Sequence, residues 1–384
     1  MSQSTDILLL LKRARLLLEE GRTAAALAVL EAIQPEDESQ QKELDYLLGW
    51  GNLQARRWSE AARLLSPFDL FNECDREVET LNNRELQALC LLKLGGIAIQ
   101  AARNEEAGRH LVKALKVLQD HRVQLPNAQI KAHYYLATTY KMRGLFSAAI
   151  QEYLQARELC VSLDESRELP YIYDGLAETY RTSGAFIDAY ESGKKALVLY
   201  RRVSDREGEC TILNRLGRIA LKLGDFPNAI DYYTESLATA AIFPDQRGDK
   251  MVMINCAALA DLRLEEGRID EARRYCERVT EVSHRSDNKF LAGMADVIIG
   301  KVTYAEARQV EGAERQRKME EAIGWFAQAT EALGESEAYD LLAEVNGRWA
   351  EVLEDLGQSQ EALSRWKSAF TARAAAKGPS WEEM

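Results

Sequence analysis

The amino-acid sequence predicts an all-α solenoid, a right-handed superhelix of about nine helix-turn-helix units running as one continuous array over residues 1–384. Three observations predict it: a helix-favouring composition, a small residue that returns about every 40 positions, and a glycine seven residues after most of those small residues. The 384 residues include only 7 Pro and 23 Gly, and 46% are apolar, which is enough for a large core. Abundant Ala, Leu, Glu and Arg with an aromatic share of 8% favour helix over sheet.

The repeat is plainest in three stretches beginning at Leu136, Leu176 and Leu216, spaced 40 residues apart, which align without a gap. Each has a small residue second, Gly ninth, Phe eleventh and Ala fourteenth. Continued in both directions, the register centres nine units on Ala14, Gly49, Gly95, Ala137, Ala177, Gly217, Ala260, Gly300 and Ala350. Alanine follows twelve residues later in eight of them, at Ala26, Ala61, Ala107, Ala149, Ala189, Ala229, Ala272 and Ala362; the eighth unit displaces its own to Ala322. Small side chains on two antiparallel helices let the backbones approach while larger neighbours interlock. Gly21, Gly144, Gly184, Gly224, Gly267 and Gly357 mark the turn between helices, where a left-handed backbone suits glycine best. Arg56 and Ala102 replace that glycine in the second and third units.

Leu136, Ala137, Tyr140, Gly144, Phe146, Ala149, Tyr153 and Ala156 carry a resemblance to the tetratricopeptide repeat (TPR), and the likeness extends over residues 6 to 376. The units are mostly longer than the roughly 34 residues of that repeat, with successive centres 35, 46, 42, 40, 40, 43, 40 and 50 residues apart. Long repeats of this kind resemble those of kinesin light chains, Leu-Gly-Asn-repeat polarity proteins, Rap-type peptide-sensing regulators and the sensor regions of bacterial transcription activators. The ten extra residues of the eighth unit fall within 306–321, read as an extended helix or solvated loop, and residues 374–384 lose the pattern and are expected to fray.

A net charge of −12 disfavours binding to nucleic acid or an anionic membrane. The apolar run Ile7 to Leu11 is too short for a signal-peptide core or a membrane span. Six scattered cysteines, Cys74, Cys90, Cys160, Cys210, Cys256 and Cys276, contain no CxxC pair and suit a reducing cytoplasm. His110, His121, His133 and His284 share no metal-ligand spacing, and no nucleotide or zinc-protease motif is present. Ser192 with Lys195 and Ser364 with Lys367 fit SxxK without its companion motifs. No metal, cofactor or catalytic residue is expected, and no DNA-binding helix precedes the repeats.

The resemblance implies a concave face formed by residues six and three before each small position and one and four after it. It selects Lys131, Tyr134, Thr138 and Lys141 in the fourth unit; Asp174, Glu178 and Arg181, beside Tyr171, in the fifth; and Asn214, Arg218 and Lys222, beside Thr211 and Leu221, in the sixth. Tyr140, Tyr153 and Tyr180 read as core, whereas the register of Tyr134 points elsewhere. Asn214 and Arg218 share a helix face where an amide would meet a peptide backbone and a guanidinium a carboxylate. Glu344, Glu351, Glu354 and Asp355 make the ninth unit acidic. The expectation is a non-enzymatic adaptor for a protein or linear peptide of acidic character, or a Rap-like regulator that senses a peptide and changes superhelical pitch.

Overall fold

The computed structural model describes residues 3–55, 57–65, 81–119, 125–163, 167–243, 246–285, 288–334 and 338–377. Among them are eighteen α-helices and no strand, arranged in nine consecutive pairs. The pairs are α1 (Gln3–Glu19) with α2 (Thr23–Leu30), α3 (Glu38–Gln54) with α4 (Trp58–Leu65), α5 (Leu81–Gln100) with α6 (Asn104–Leu118), α7 (Pro126–Met142) with α8 (Phe146–Ser162), and α9 (Leu169–Thr182) with α10 (Phe186–Arg202). They continue with α11 (Arg206–Lys222) and α12 (Phe226–Ala240), α13 (Gln246–Glu265) and α14 (Ile269–Arg285), α15 (Lys289–Ala307) and α16 (Gly312–Gly334), then α17 (Tyr339–Asp355) and α18 (Ser359–Lys377). The chain divides into two compact units, Met1–Leu199 and Tyr200–Met384, with the boundary inside α10.

Pair formation follows from the turn chemistry. Gly144 and Gly224 take φ of 74° and 76°, and the next residue but one begins the second helix. Ala102 occupies the same left-handed conformation at φ 57°, so the third unit keeps the turn without its glycine. Arg56, the other replacement, lies outside the described residues. Prolines start helices where a missing N–H is harmless: Pro126, Pro170 and Pro227 sit in the first turns of α7, α9 and α12. Asp37, Asp205, Asp225 and Asn288 cap α3, α11, α12 and α15 by accepting backbone N–H groups.

Stacking follows from the small positions. Ala14, Ala137, Ala177 and Ala350 are fully buried. At the glycines the space belongs to a large side chain of the partner helix: a Cβ on Gly49 would stand 2.7 Å from Leu65, on Gly95 2.7 Å from Leu111, and on Gly217 2.8 Å from Tyr233. The covering residue comes sixteen positions after the small one in each case, so a small-against-large fit, rather than small against small, sets the separation within a pair. Within each of the two units, first helices lie in the groove of the pair before them: α3 against α1 and α2, α13 against α11 and α12, α15 against α13 and α14, α17 against α15 and α16.

The extra residues of the eighth unit lengthen a helix. α15 ends at Ala307 and α16 runs 23 residues from Gly312. Glu306 accepts hydrogen bonds from Lys318 at 2.6 Å and Arg273 at 2.7 Å, tying the added turn to α14 and α15. Phe326 therefore covers Gly300 from 26 residues away instead of sixteen, at 2.7 Å from a Cβ placed there. At the other expected irregularity, residues 374–377 are helical within α18, and 378–384 lie outside the described residues.

Candidate functional site: the first-helix faces

In the first unit, α7 and α9 carry the predicted face of the fourth and fifth repeats. Lys131 is exposed and pairs with Glu168 at 3.5 Å. Tyr134 does not point away from the core as expected. Its ring meets Tyr153 edge-on at a centroid distance of 5.8 Å and Tyr135 at 5.6 Å, and burial followed by the neighbouring phenol of Tyr153 raises its pKa. The reason is that Tyr153, fully buried beside Gly175, extends across to α7 and gives Tyr134 an aromatic partner. Thr138 is also engaged internally: its Oγ1 donates to the Tyr134 carbonyl at 3.0 Å and lies 3.0 Å from the Tyr153 hydroxyl. Glu178 and Arg181 form a two-pronged pair at 2.9 and 2.8 Å along one helix, so each neutralises the other. Lys141 and Asp174 are half-buried on the same register.

The N-terminal unit also contains a cation that the sequence did not single out. Lys93 Nζ stands 4.6 Å from the ring centroid of Trp50, which is one position after Gly49 and hence on the first-helix register. Burial, and then the charge of Lys131, lower the Lys93 pKa to about 8.

In the second unit, Arg218 and Lys222 are exposed on α11, but Asn214 is not a groove amide. It is buried, and its Nδ2 donates to Asn255 Oδ1 at 2.8 Å. Asn255 donates in turn to Ser236 Oγ at 2.8 Å, and Ser236 donates to the Cys210 carbonyl at 2.8 Å. This buried chain joins α11, α12 and α13, and truncating Asn214 would leave Asn255 without its hydrogen-bond donor. Asn214→Ala is thus a stability variant as much as a binding one.

The same register brings a cleft together farther along this unit. Asp261 and Lys301 each follow their small residue by one position, Leu264 and Tyr304 by four, and Glu344 precedes Ala350 by six. Together with Arg348 they line a cleft of about 460 Å³ between α13, α15 and α17. Lys301 is buried at its centre, donating to Asp261 at 2.8 and 2.9 Å and forming an ion pair with Glu344. Burial works against its charge, yet the two carboxylates prevail and raise its pKa. For Asp261 burial wins over the ammonium, and its pKa rises, as follows when two acids share one base. Lys301 could have been read from the sequence, because it holds the same position as Thr138, Glu178 and Arg218 in the next-to-last unit.

The acidic ninth unit is largely balanced within the fold. Glu344 is taken by Lys301, Glu351 by Arg348 at 3.0 Å, Glu354 accepts from Trp366 Nε1 at 2.8 Å, and Asp355 accepts from Tyr304 at 2.9 Å. Among the described residues, no group of three or more His, Cys, Asp or Glu side chains converges as a metal site would require, and no helix is long and apolar enough to cross a membrane.

Residues 168–241 match the tetratricopeptide repeat family model. Solved structures similar over 97% of this chain include the apo form of RapI, with a TM-score of 0.74 at 10% identity over 98% of that chain. The apo quorum sensor NprR from B. thuringiensis aligns over 97% of this chain and 100% of its own at 14% identity, with a TM-score of 0.67. The Rap conjugation gene regulator of plasmid pLS20, solved with the Phr* peptide, aligns over 97% and 96% at 15% identity, with a TM-score of 0.51. No curated protein matches the sequence. At these identities the likeness is one of fold, a TPR-type α-solenoid.

Proposed function

We propose that this protein is a non-enzymatic regulator or adaptor that takes a segment of another protein, or a linear peptide, on its first-helix faces. The observation that carries the reading is the cleft between α13, α15 and α17, where three successive first helices contribute the same register positions to one concavity with a buried cation at its floor. A depression of about 460 Å³ suits a few side chains of an extended segment rather than a whole folded domain. Lys301, Arg308 and Arg348 can meet carboxylates or backbone carbonyls, while Asp261 and Glu265 can accept from amides.

The fold likeness to a Rap regulator solved with a peptide supports the regulator over the passive adaptor. A change of superhelical pitch on binding fits a stack whose neighbouring first helices are bridged by exchangeable ion pairs such as Lys301 with Asp261 and Glu344. An acidic ligand is supported by Arg218 and Lys222 in the second unit, and by Lys131, Lys141 and Lys93 in the first, all on or beside the first-helix register.

The test pans a displayed library of random linear peptides against the intact chain and compares enriched peptides on wild type, Arg308→Glu and Arg348→Glu, with circular dichroism as the folding control. Enriched sequences should carry excess Asp and Glu and should bind either variant at least ~10-fold more weakly. Wild-type affinity for both variants, or enrichment of basic peptides, would remove this cleft and this ligand class respectively.

A further inference from the structure

The first and last described helix pairs expose the two halves of the junction that interior pairs bury. At interior junctions, the residues five before and two after the small position of a first helix pack on the pair before it. Leu44, Ala132, Ile172 and Val345 hold the earlier position and are 5% exposed or less, while Ile97 and Val352 hold the later one and are also buried. The equivalents on α1 are Leu9 and Leu16, and they are 60% and 59% exposed. On the receiving side, the positions sixteen and twenty after the small residue are filled by Leu111 and Leu115 in α6 and by Tyr233 and Leu237 in α12, all buried. Their equivalents on α18 are Trp366 and Phe370, 40% and 77% exposed.

Solenoids ordinarily close both ends with a polar face. Here a groove of about 360 Å³ runs between α17 and α18, lined by Gly347, Trp366 and Phe370 and edged by Glu344 and Glu351 together with Arg348 and Arg373. It occupies the place where each first helix lies against the preceding pair, as α17 itself lies against α15 and α16. α1 carries Lys12, Arg13 and Arg15, the last paired with Glu43, against Asp6 and Glu19, whereas α17 carries Asp340, Glu344, Glu351, Glu354 and Asp355 against Arg348 and so keeps a net negative charge although most of these carboxylates have partners within the fold. The helices that would become neighbours are therefore opposite in charge as well as matched in apolar register.

We propose that a second copy of this chain seats its α1 in the groove between α17 and α18, so that copies associate head to tail. Such an interface is heterologous: the two copies that meet at it use different surfaces. The proposal is independent of the ligand-binding reading.

The experiment measures mass by sedimentation and light scattering from about 1 to 300 µM for the intact chain and two single variants, Leu16→Glu and Phe370→Glu, each checked by circular dichroism. Wild type should gain mass with concentration. Each variant alone should lose association by at least ~10-fold, because one end of every copy is then blocked. Mixed together, the two variants should form a discrete one-to-one dimer, since one supplies an intact α17–α18 groove and the other an intact α1. A wild type that stays monomeric throughout would overturn the proposal, and so would a Leu16→Glu variant that still dimerises by itself, which would indicate a symmetric pairing of C-terminal faces.

Discussion

Asp296 on α15 shows how a single side chain can oppose the fold that contains it. Burial raises its carboxyl pKa to about 6. The native state then holds that proton more tightly than the unfolded chain, where a carboxyl titrates near ~3.9, so stability falls as pH rises from about 4 through 6 and the deficit persists at neutral pH. Because the group is only partly shielded, the deficit is set at about 1 kcal/mol rather than the full value of the shift. Asp296→Asn is expected to raise the thermal midpoint at pH 7.5 and to lose that advantage below about pH 4; equal midpoints at both pH values would show that the carboxyl is well solvated. Ala102 is a second strained position, at φ 57°. Ala102→Gly should stabilise by about 0.5–1 kcal/mol in urea titrations, the relief of a left-handed alanine less the added freedom of the unfolded glycine.

Within a helix pair, geometry is set by which large side chain fills the space over each small position. At Gly217 any Cβ meets the Tyr233 ring at 2.8 to 2.9 Å. Gly217→Ala is expected to cost about 1–3 kcal/mol through overpacking. Tyr233→Leu in the same chain should make the alanine less costly, a coupling that a double-mutant cycle by chemical denaturation would read directly. Additive effects would mean that α11 and α12 slide apart freely and that the contact does not set their separation. The lengthened α16 follows the same rule: ten residues added before the contact leave Phe326 over Gly300, since the register of the pair is anchored at the contact and not at the turn.

Across the molecule, units that touch only their neighbours should lose stability locally. Ala149 is fully buried at the helix contact of the fourth pair. Ala149→Leu is therefore expected to accelerate hydrogen exchange in α7, α8 and α9 and to leave α13 through α18 at wild-type rates. Uniform acceleration would show that all nine pairs unfold as one block. The same nearest-neighbour logic explains why a strongly acidic chain can present local cations: Lys131, Arg218 and Lys222 lie on first-helix faces, while many carboxylates are used in pairs such as Arg201 with Glu209 and Arg273 with Glu306.

Periodicity determined the fold class, because a small residue, a turn glycine and an alanine recurring at constant offsets leave one way to bury every apolar face, by stacking pairs. The resemblance to the tetratricopeptide repeat implied that the first helix of each pair would present the ligand face. Tertiary structure alone decided which residues on that face remain available. Tyr134 and Thr138 are drawn inward because Tyr153 reaches α7 from the partner helix, and Asn214 because Asn255 sits 41 residues away on the next first helix. Glu178 and Arg181 satisfy each other, while Lys301 gains its carboxylates from helices on either side. An offset within one repeat places a side chain on a face, but its partners come from neighbouring repeats whose side-chain lengths vary. Charge and hydrogen bonding act at those distances, so they become visible only when the helices are packed.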